Sequence, residues 1–113
     1  MIDGNTELIA HIGFPTHAFK APMIYNPWFE QAGVNAVVVP MACQASDYPD
    51  LLRALFKLGN LRGALITMPH KVSTTHLVDE LLPAALIAGA CNAVRLGPAG
   101  QLQGEMFDGE GFV

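Results

Sequence analysis

Ala36-Val37-Val38-Val39 is the segment that most limits the fold open to this chain. A β-branched run with no polar alternation suits a strand covered on both faces, as in a parallel sheet under helices. Such a sheet needs a helix between successive strands, and the flanking sequence provides them. Leu8-Ile9-Ala10-His11-Ile12 reads as an earlier apolar strand, ended by Gly13-Phe14-Pro15. Pro22 then opens a helix over Met23 to Ala32, and Gly33 stands where a helix end takes a left-handed residue. After the valine run, Ser46 or Asp47 can cap a helix with Pro49 in its first turn. Its apolar stripe is Leu51, Leu52, Leu55, Phe56 and Leu58, ended by Gly59-Asn60. Ala64-Leu65-Ile66-Thr67 is the third strand, with Pro69 starting a short helix.

Further on, Leu77 to Leu82 and Pro83 to Ala88 read as two helical pieces, the second closed by Gly89. Ala93 to Leu96, a Gly97-Pro98-Ala99-Gly100 turn and Gln101 to Gly104 form a hairpin. The order βαβαβα followed by a hairpin implies one domain, an α/β sandwich on a largely parallel sheet. Gly111-Phe112-Val113 reads as the start of another helix, so the chain is expected to continue past Val113.

Charged residues make up 14% of the 113, against about 25% in ordinary globular chains. So sparse a charge predicts extensive contact with another domain or subunit. The net charge of −4 and the absence of any Lys/Arg cluster argue against nucleic acid. Neither a basic amphipathic helix nor an apolar run near ~20 residues points to a membrane. The opening Met1-Ile2-Asp3-Gly4-Asn5-Thr6-Glu7 is polar and acidic, unlike a signal peptide. Cys43 and Cys91 are too few for a disulfide framework and, with the histidines, match no metal-ligand spacing. We read reduced, semi-buried thiols in a cytoplasmic protein, with no metal.

Lys71 and Asp108 carry the chemistry. Lys71 follows an apolar strand and the Pro69 start, where the positive end of a helix would disfavour an ammonium. A lysine poised between that field, partial burial and a nearby carboxylate can donate and accept protons. Taken alone, such a lysine is far more often a solvated side chain on a helix surface. Asp108, before Gly109-Glu110-Gly111, has the local look of a turn or N-cap aspartate. Asn92 can cap the region after Gly89 or line a pocket. Thr67, at the C-terminal end of a parallel strand, points toward the crevice where α/β sheets bind ligands. No Gly-x-Gly-x-x-Gly fingerprint is present.

Taken together, these segments resemble the amino-terminal, substrate-binding domain of shikimate dehydrogenases across nearly the whole chain. Gly13-Phe14-Pro15 echoes the family's Gly-x-Pro loop, and Leu65-Ile66-Thr67-Met68-Pro69-His70-Lys71 its Asn-Val-Thr-x-Pro-x-Lys. Gly89-Ala90-Cys91-Asn92-Ala93 matches Gly-Ala-x-Asn-Thr, and Gly104 to Gly111 matches Gly-x-Asn-Thr-Asp-Gly-x-Gly. Their order and spacing make the set specific. The resemblance implies a three-layer sandwich whose mixed, mainly parallel sheet holds one antiparallel strand. It implies Lys71 as catalytic acid/base, Asp108 as its partner, and Thr67 and Asn92 as substrate contacts. It also implies NADP on a separate carboxy-terminal Rossmann domain outside this chain, a small hydroxylated cyclic acid or polyol as substrate, and a homodimer through this domain.

Two departures bear on the substrate. Where the family has Ser-x-Ser-Pro around the substrate carboxylate, this chain has Phe19-Lys20-Ala21-Pro22, so Phe19 and Ala21 take the serine positions. Hydrogen bonds to a charged group contribute about 1.5–3 kcal/mol each, so their loss could cost several powers of ten in affinity. Met106-Phe107 likewise replaces Asn-Thr. The pocket is therefore expected to be more apolar than shikimate requires. The expected function is the substrate-binding half of a shikimate dehydrogenase-like oxidoreductase. The alternatives are a quinate- or aminoshikimate-type dehydrogenase and a non-catalytic binding module of the same fold.

Overall fold

The computed structural model describes residues 2–107. The first strand, β1 (Glu7–Gly13), is followed by α1 (Ala21–Ala32), β2 (Ala36–Ala42), α2 (Tyr48–Leu55) and β3 (Leu61–Ile66). A 3₁₀ turn over Ser73–His76 precedes β4 (Glu80–Leu81), α3 (Pro83–Ala88), β5 (Ala93–Leu96) and β6 (Leu102–Glu105). The strands form one sheet in the order β2-β1-β3-β5-β6-β4. Parallel pairing joins β1 to β2 and β3, and β4 to β6, while β5 runs antiparallel to both of its neighbours. The mixed, mainly parallel sheet with one antiparallel strand is therefore present.

Side-chain alternation along β1 separates two apolar layers. Ile9 packs with Val38 and Phe29 of α1 on one face. Ala10 and Ile12 pack with Tyr48, Leu52 and Leu55 of α2, and with Ala64 and Ile66 of β3, on the other. The helices thus cover opposite faces of β1, while in the valine run only Val38 is fully buried, because β2 lies at the edge of the sheet. Both Gly33 and Gly89 close their helices in the left-handed region, at φ 72° and 67°. A side chain at either position would be strained.

Three expectations need correction. Leu77 to Leu82 is not helical: Glu80–Leu81 pairs with Gln103 and Gly104 of β6. The Glu80 carboxylate accepts hydrogen bonds from the Gln101 and Gln103 side-chain amides. Asp79 donates its N–H to the Leu102 carbonyl and accepts the Leu102 N–H on its carboxylate. A helix this short gains too little to compete with that pairing. Pro69 starts no helix either; it follows a cis peptide bond in a turn, and helical geometry begins only at Ser73. Finally, α2 ends at Leu55, short of Gly59, and Leu58 is exposed. Asp47 stands at the N-cap of α2 without a side-chain bond to the helix.

The edge strand β2 is held in an unusual way. Asn26 of α1 donates to the Val38 carbonyl at 3.0 Å and accepts the Val38 N–H at 2.7 Å. Two residues away, Pro40 has no N–H to offer, which an edge position tolerates. Val38 is 1% exposed, so losing the amide would strand both backbone groups in the interior. Asn26→Ala is expected to lower stability by about 1–3 kcal/mol, read as a shift of the urea midpoint at constant slope.

Candidate functional site

Parallel pairing brings the ends of β1, β2 and β3 to one side of the sheet, the side on which open α/β sheets bind ligands. The antiparallel β5 starts at that side and β6 ends there. Phe19, Thr67, Lys71, Asn92 and Phe107 all lie on segments adjoining these strand ends.

The segment from Thr67 to Lys71 is fixed by backbone bonds to its neighbours. Thr67 donates its N–H to the Ile12 carbonyl at 3.0 Å, and Phe14 donates to the Met68 carbonyl at 3.1 Å. Lys71 itself accepts the Cys91 N–H at 2.8 Å on its carbonyl. Its backbone is therefore tied down while its side chain remains partly exposed. Among the described residues no carboxylate is in salt-bridge reach of Lys71. The helix-field argument for Lys71 does not hold, because no helix begins there.

Asn92 links the lysine segment to the end of the chain. Its side-chain amide donates to the Phe107 carbonyl and accepts the Phe107 N–H at 2.9 Å. Its own backbone joins β3 to β6, accepting from Ile66 at 2.8 Å and donating to Glu105 at 3.0 Å. A primary amide has two N–H donors, and only one of them is bonded among the described residues. Asp108 lies outside the described residues; its neighbour Phe107 is placed by Asn92, next in sequence to the Cys91 that holds Lys71.

Phe19 and Thr67 meet over Gly13. A Cβ added at Gly13 would collide with Thr67 Cγ2 and stand 2.8 Å from Phe19 Cζ. Only glycine lets the two side chains close over β1. The Phe19 ring also stacks on His11, with centroids 4.2 Å apart and planes at 27°. Burial pushes the His11 imidazole below its ordinary value, so this group offers no fixed positive charge at neutral pH. Ala21 is the first residue of α1 and contributes no polar group. The segment therefore presents an aromatic ring and a methyl where a carboxylate-binding site would present hydroxyls.

Beneath Lys71 lies a polar cluster that sequence spacing does not reveal. His70 is fully buried and stacks on Tyr48 with centroids 4.0 Å apart. Its Nε2 lies 2.7 Å from the Cys43 carbonyl. Burial pushes the Cys43 and Cys91 thiols up, so neither is an activated nucleophile. Cys91 fills the space over Gly104, where an added Cβ would stand 2.6 Å from its sulfur. Both cysteines are free, and no group of three or more His, Cys, Asp or Glu able to hold a metal occurs among the described residues.

The arrangement places one lysine, fixed at its backbone, beside the ends of the parallel strands, where an amine is able to take up or give a proton. A dinucleotide is another matter: the tight turn after β1 is Gly13-Phe14-Pro15 and lacks the glycine fingerprint that cradles a pyrophosphate. No helix among the described residues is long and apolar enough to cross a membrane.

Comparison with known proteins agrees with this arrangement. A family profile described as the shikimate dehydrogenase substrate binding domain matches residues 11–94. The chain is 40% identical over 112 residues to the NADP shikimate dehydrogenase of Rubrobacter xylanophilus and 37% identical to that of Gluconobacter oxydans. It spans 39% of the length of each, and 99% of this chain is covered. A crystal structure of shikimate 5-dehydrogenase from Listeria monocytogenes, in complex with shikimate and NAD, superposes with a TM-score of 0.88 at 32% identity. That match covers 98% of this chain and 38% of the other. From the sheet order to the profile match, these observations place the chain in the shikimate dehydrogenase substrate-binding domain family.

Proposed function

We propose that residues 1–113 form the substrate-binding domain of an NADP-dependent oxidoreductase that interconverts a ring carbinol and its ketone. The substrate pair is shikimate and 3-dehydroshikimate or a related cyclic polyol, and the setting is the cytoplasm. The observation that carries this reading is the seating of Lys71. Its carbonyl is bonded to Cys91, and the adjacent Asn92 holds the residue that precedes Asp108. NADP would supply hydride acceptance, held on a separate carboxy-terminal Rossmann domain outside residues 1–113. Self-association into a homodimer belongs to the same reading.

In this reading Lys71 receives the hydroxyl proton as the carbinol carbon is oxidised and returns it in the reverse direction. Asp108 accepts a hydrogen bond from the same hydroxyl or from the lysine, keeping the ammonium in place. The second amide N–H of Asn92 and the hydroxyl of Thr67 orient the ring. General acid–base catalysis contributes about 10²–10⁴-fold, so Lys71→Ala in the full-length protein is expected to lower kcat by that factor. Substrate binding, followed by calorimetry, should survive. Unchanged NADPH formation by the variant would sink the assignment.

A second reading is favoured by the stack of Phe19 on His11 beside Thr67. In it the ring substrate is neutral, because a largely apolar wall poor in donors penalises a carboxylate. Shikimate and its methyl ester share a ring and differ in charge, which makes them a matched pair for titration. A neutral-ring site binds the ester at least as tightly as the acid, and Phe19→Ser/Ala21→Ser shifts preference toward the acid by about tenfold or more. Tighter wild-type binding of the acid would return the assignment to shikimate itself.

A further inference from the structure

We infer that His70 is a positioning residue for Lys71, acting from the interior through a relay of Tyr48, Thr74 and the Cys43 carbonyl. The inference rests on the reading of Lys71 as the proton-transfer residue and deepens it.

A lysine side chain carries about 2 kcal/mol of rotamer entropy, so the fold can aim it only by fixing the backbone from which it springs. Lys71 is held on its C-terminal side by its carbonyl bond to Cys91. On its N-terminal side the restraint is His70, which is 0% exposed. A carbonyl can only accept, so the imidazole Nε2 donates to Cys43 across 2.7 Å. Cys43 in turn donates its N–H to Gly13 at 3.0 Å, the residue over which Phe19 and Thr67 meet. One ring therefore ties together the segments that follow β1, β2 and β3.

The direction of the second set of bonds is fixed by the same accounting. The Thr74 hydroxyl donates its only proton to the His70 carbonyl at 2.6 Å. Tyr48 must then donate to Thr74, across another 2.6 Å. Burial pushes the Tyr48 phenol well above its ordinary value, so its proton stays in place. Thr74 also donates its N–H to the same carbonyl at 3.0 Å, and Ser73 Oγ donates to it at 3.2 Å. The Tyr48 and His70 planes are inclined by only 12°, which adds face-to-face contact. His70 is thus restrained at its ring face, its Nε2 and its carbonyl, and the next residue is Lys71.

Simple packing would be satisfied by any flat ring of that size, whereas positioning requires the Nε2 donor. The full-length protein therefore separates the two with His70→Phe, which keeps a stacking ring, and His70→Gln, which restores a donor near the Nε2 position. His70→Phe is expected to lower kcat of the folded protein at least about fivefold with KM within about twofold, and His70→Gln to recover part of that loss. A smaller loss in His70→Phe, or no recovery in His70→Gln, would overturn the inference. If His70→Phe does not fold, Tyr48→Phe decides: a lower kcat at unchanged KM supports the relay, and wild-type kcat refutes it. Turnover that survives Lys71→Ala removes the role of Lys71 and this inference with it. Turnover lost in Lys71→Ala but kept in His70→Phe removes this inference alone.

Discussion

The arrangement depends on β1 being apolar on both faces while paired in parallel on both edges. A strand in that position cannot be reached by hairpins, so β1, β2 and β3 follow one another through the helices α1 and α2. The alternation of Ile9 against Ala10 and Ile12 sends α1 and α2 to opposite faces. Parallel pairing then forces the three strand ends to the same side. That constraint fixes the side on which the strand ends gather, before any polar residue is placed there.

Polar groups refine what the sheet has gathered. The amide of Asn92 spans the 15-residue interval to Phe107 with two bonds. Each contributes only about 0.5–1.5 kcal/mol net, so their effect is geometric more than energetic. Apolar and aromatic groups refine the other wall, where the His11–Phe19 stack stands over Gly13. The strand-end side therefore combines a lysine whose backbone is fixed with a wall poor in donors. On the proposed reading this combination narrows the substrate more than the fold does, since one fold carries many chemistries.

Features set by local chemistry were legible in the sequence. The strands at Leu8 and Ala36, the proline-started helices α1 and α3 and their glycine ends depend on neighbours a few residues away. Glu80–Leu81 was not legible, because its strand state depends on pairing with Gln103 and Gly104. The extent of α2 was overread for a related reason: an apolar stripe continues to Leu58, but the backbone turns after Leu55. Thr67, Lys71 and Asn92 were singled out through the ordering of motifs, since each is ordinary by itself. His70 was missed because its burial is created by Tyr48 and Cys43, 22 and 27 positions earlier in the chain. No local pattern distinguishes such a histidine from one facing water.

The bracket on Val38 has a consequence for how copies of the protein can meet. Along the outer edge of β2, Ala36 gives its N–H to Val34, Val38 gives its own to Asn26, and Pro40 has none. An incoming strand from another molecule would find no donor at these alternate positions. At the opposite edge β4 is only two residues long. Both borders of the sheet are therefore poor templates for strand addition, which protects a chain that is 51% hydrophobic from edge-to-edge aggregation. Growth of the sheet from one molecule into the next is disfavoured, and the exposed apolar side chains Met23, Ile24 and Trp28 lie on α1, outside both border strands.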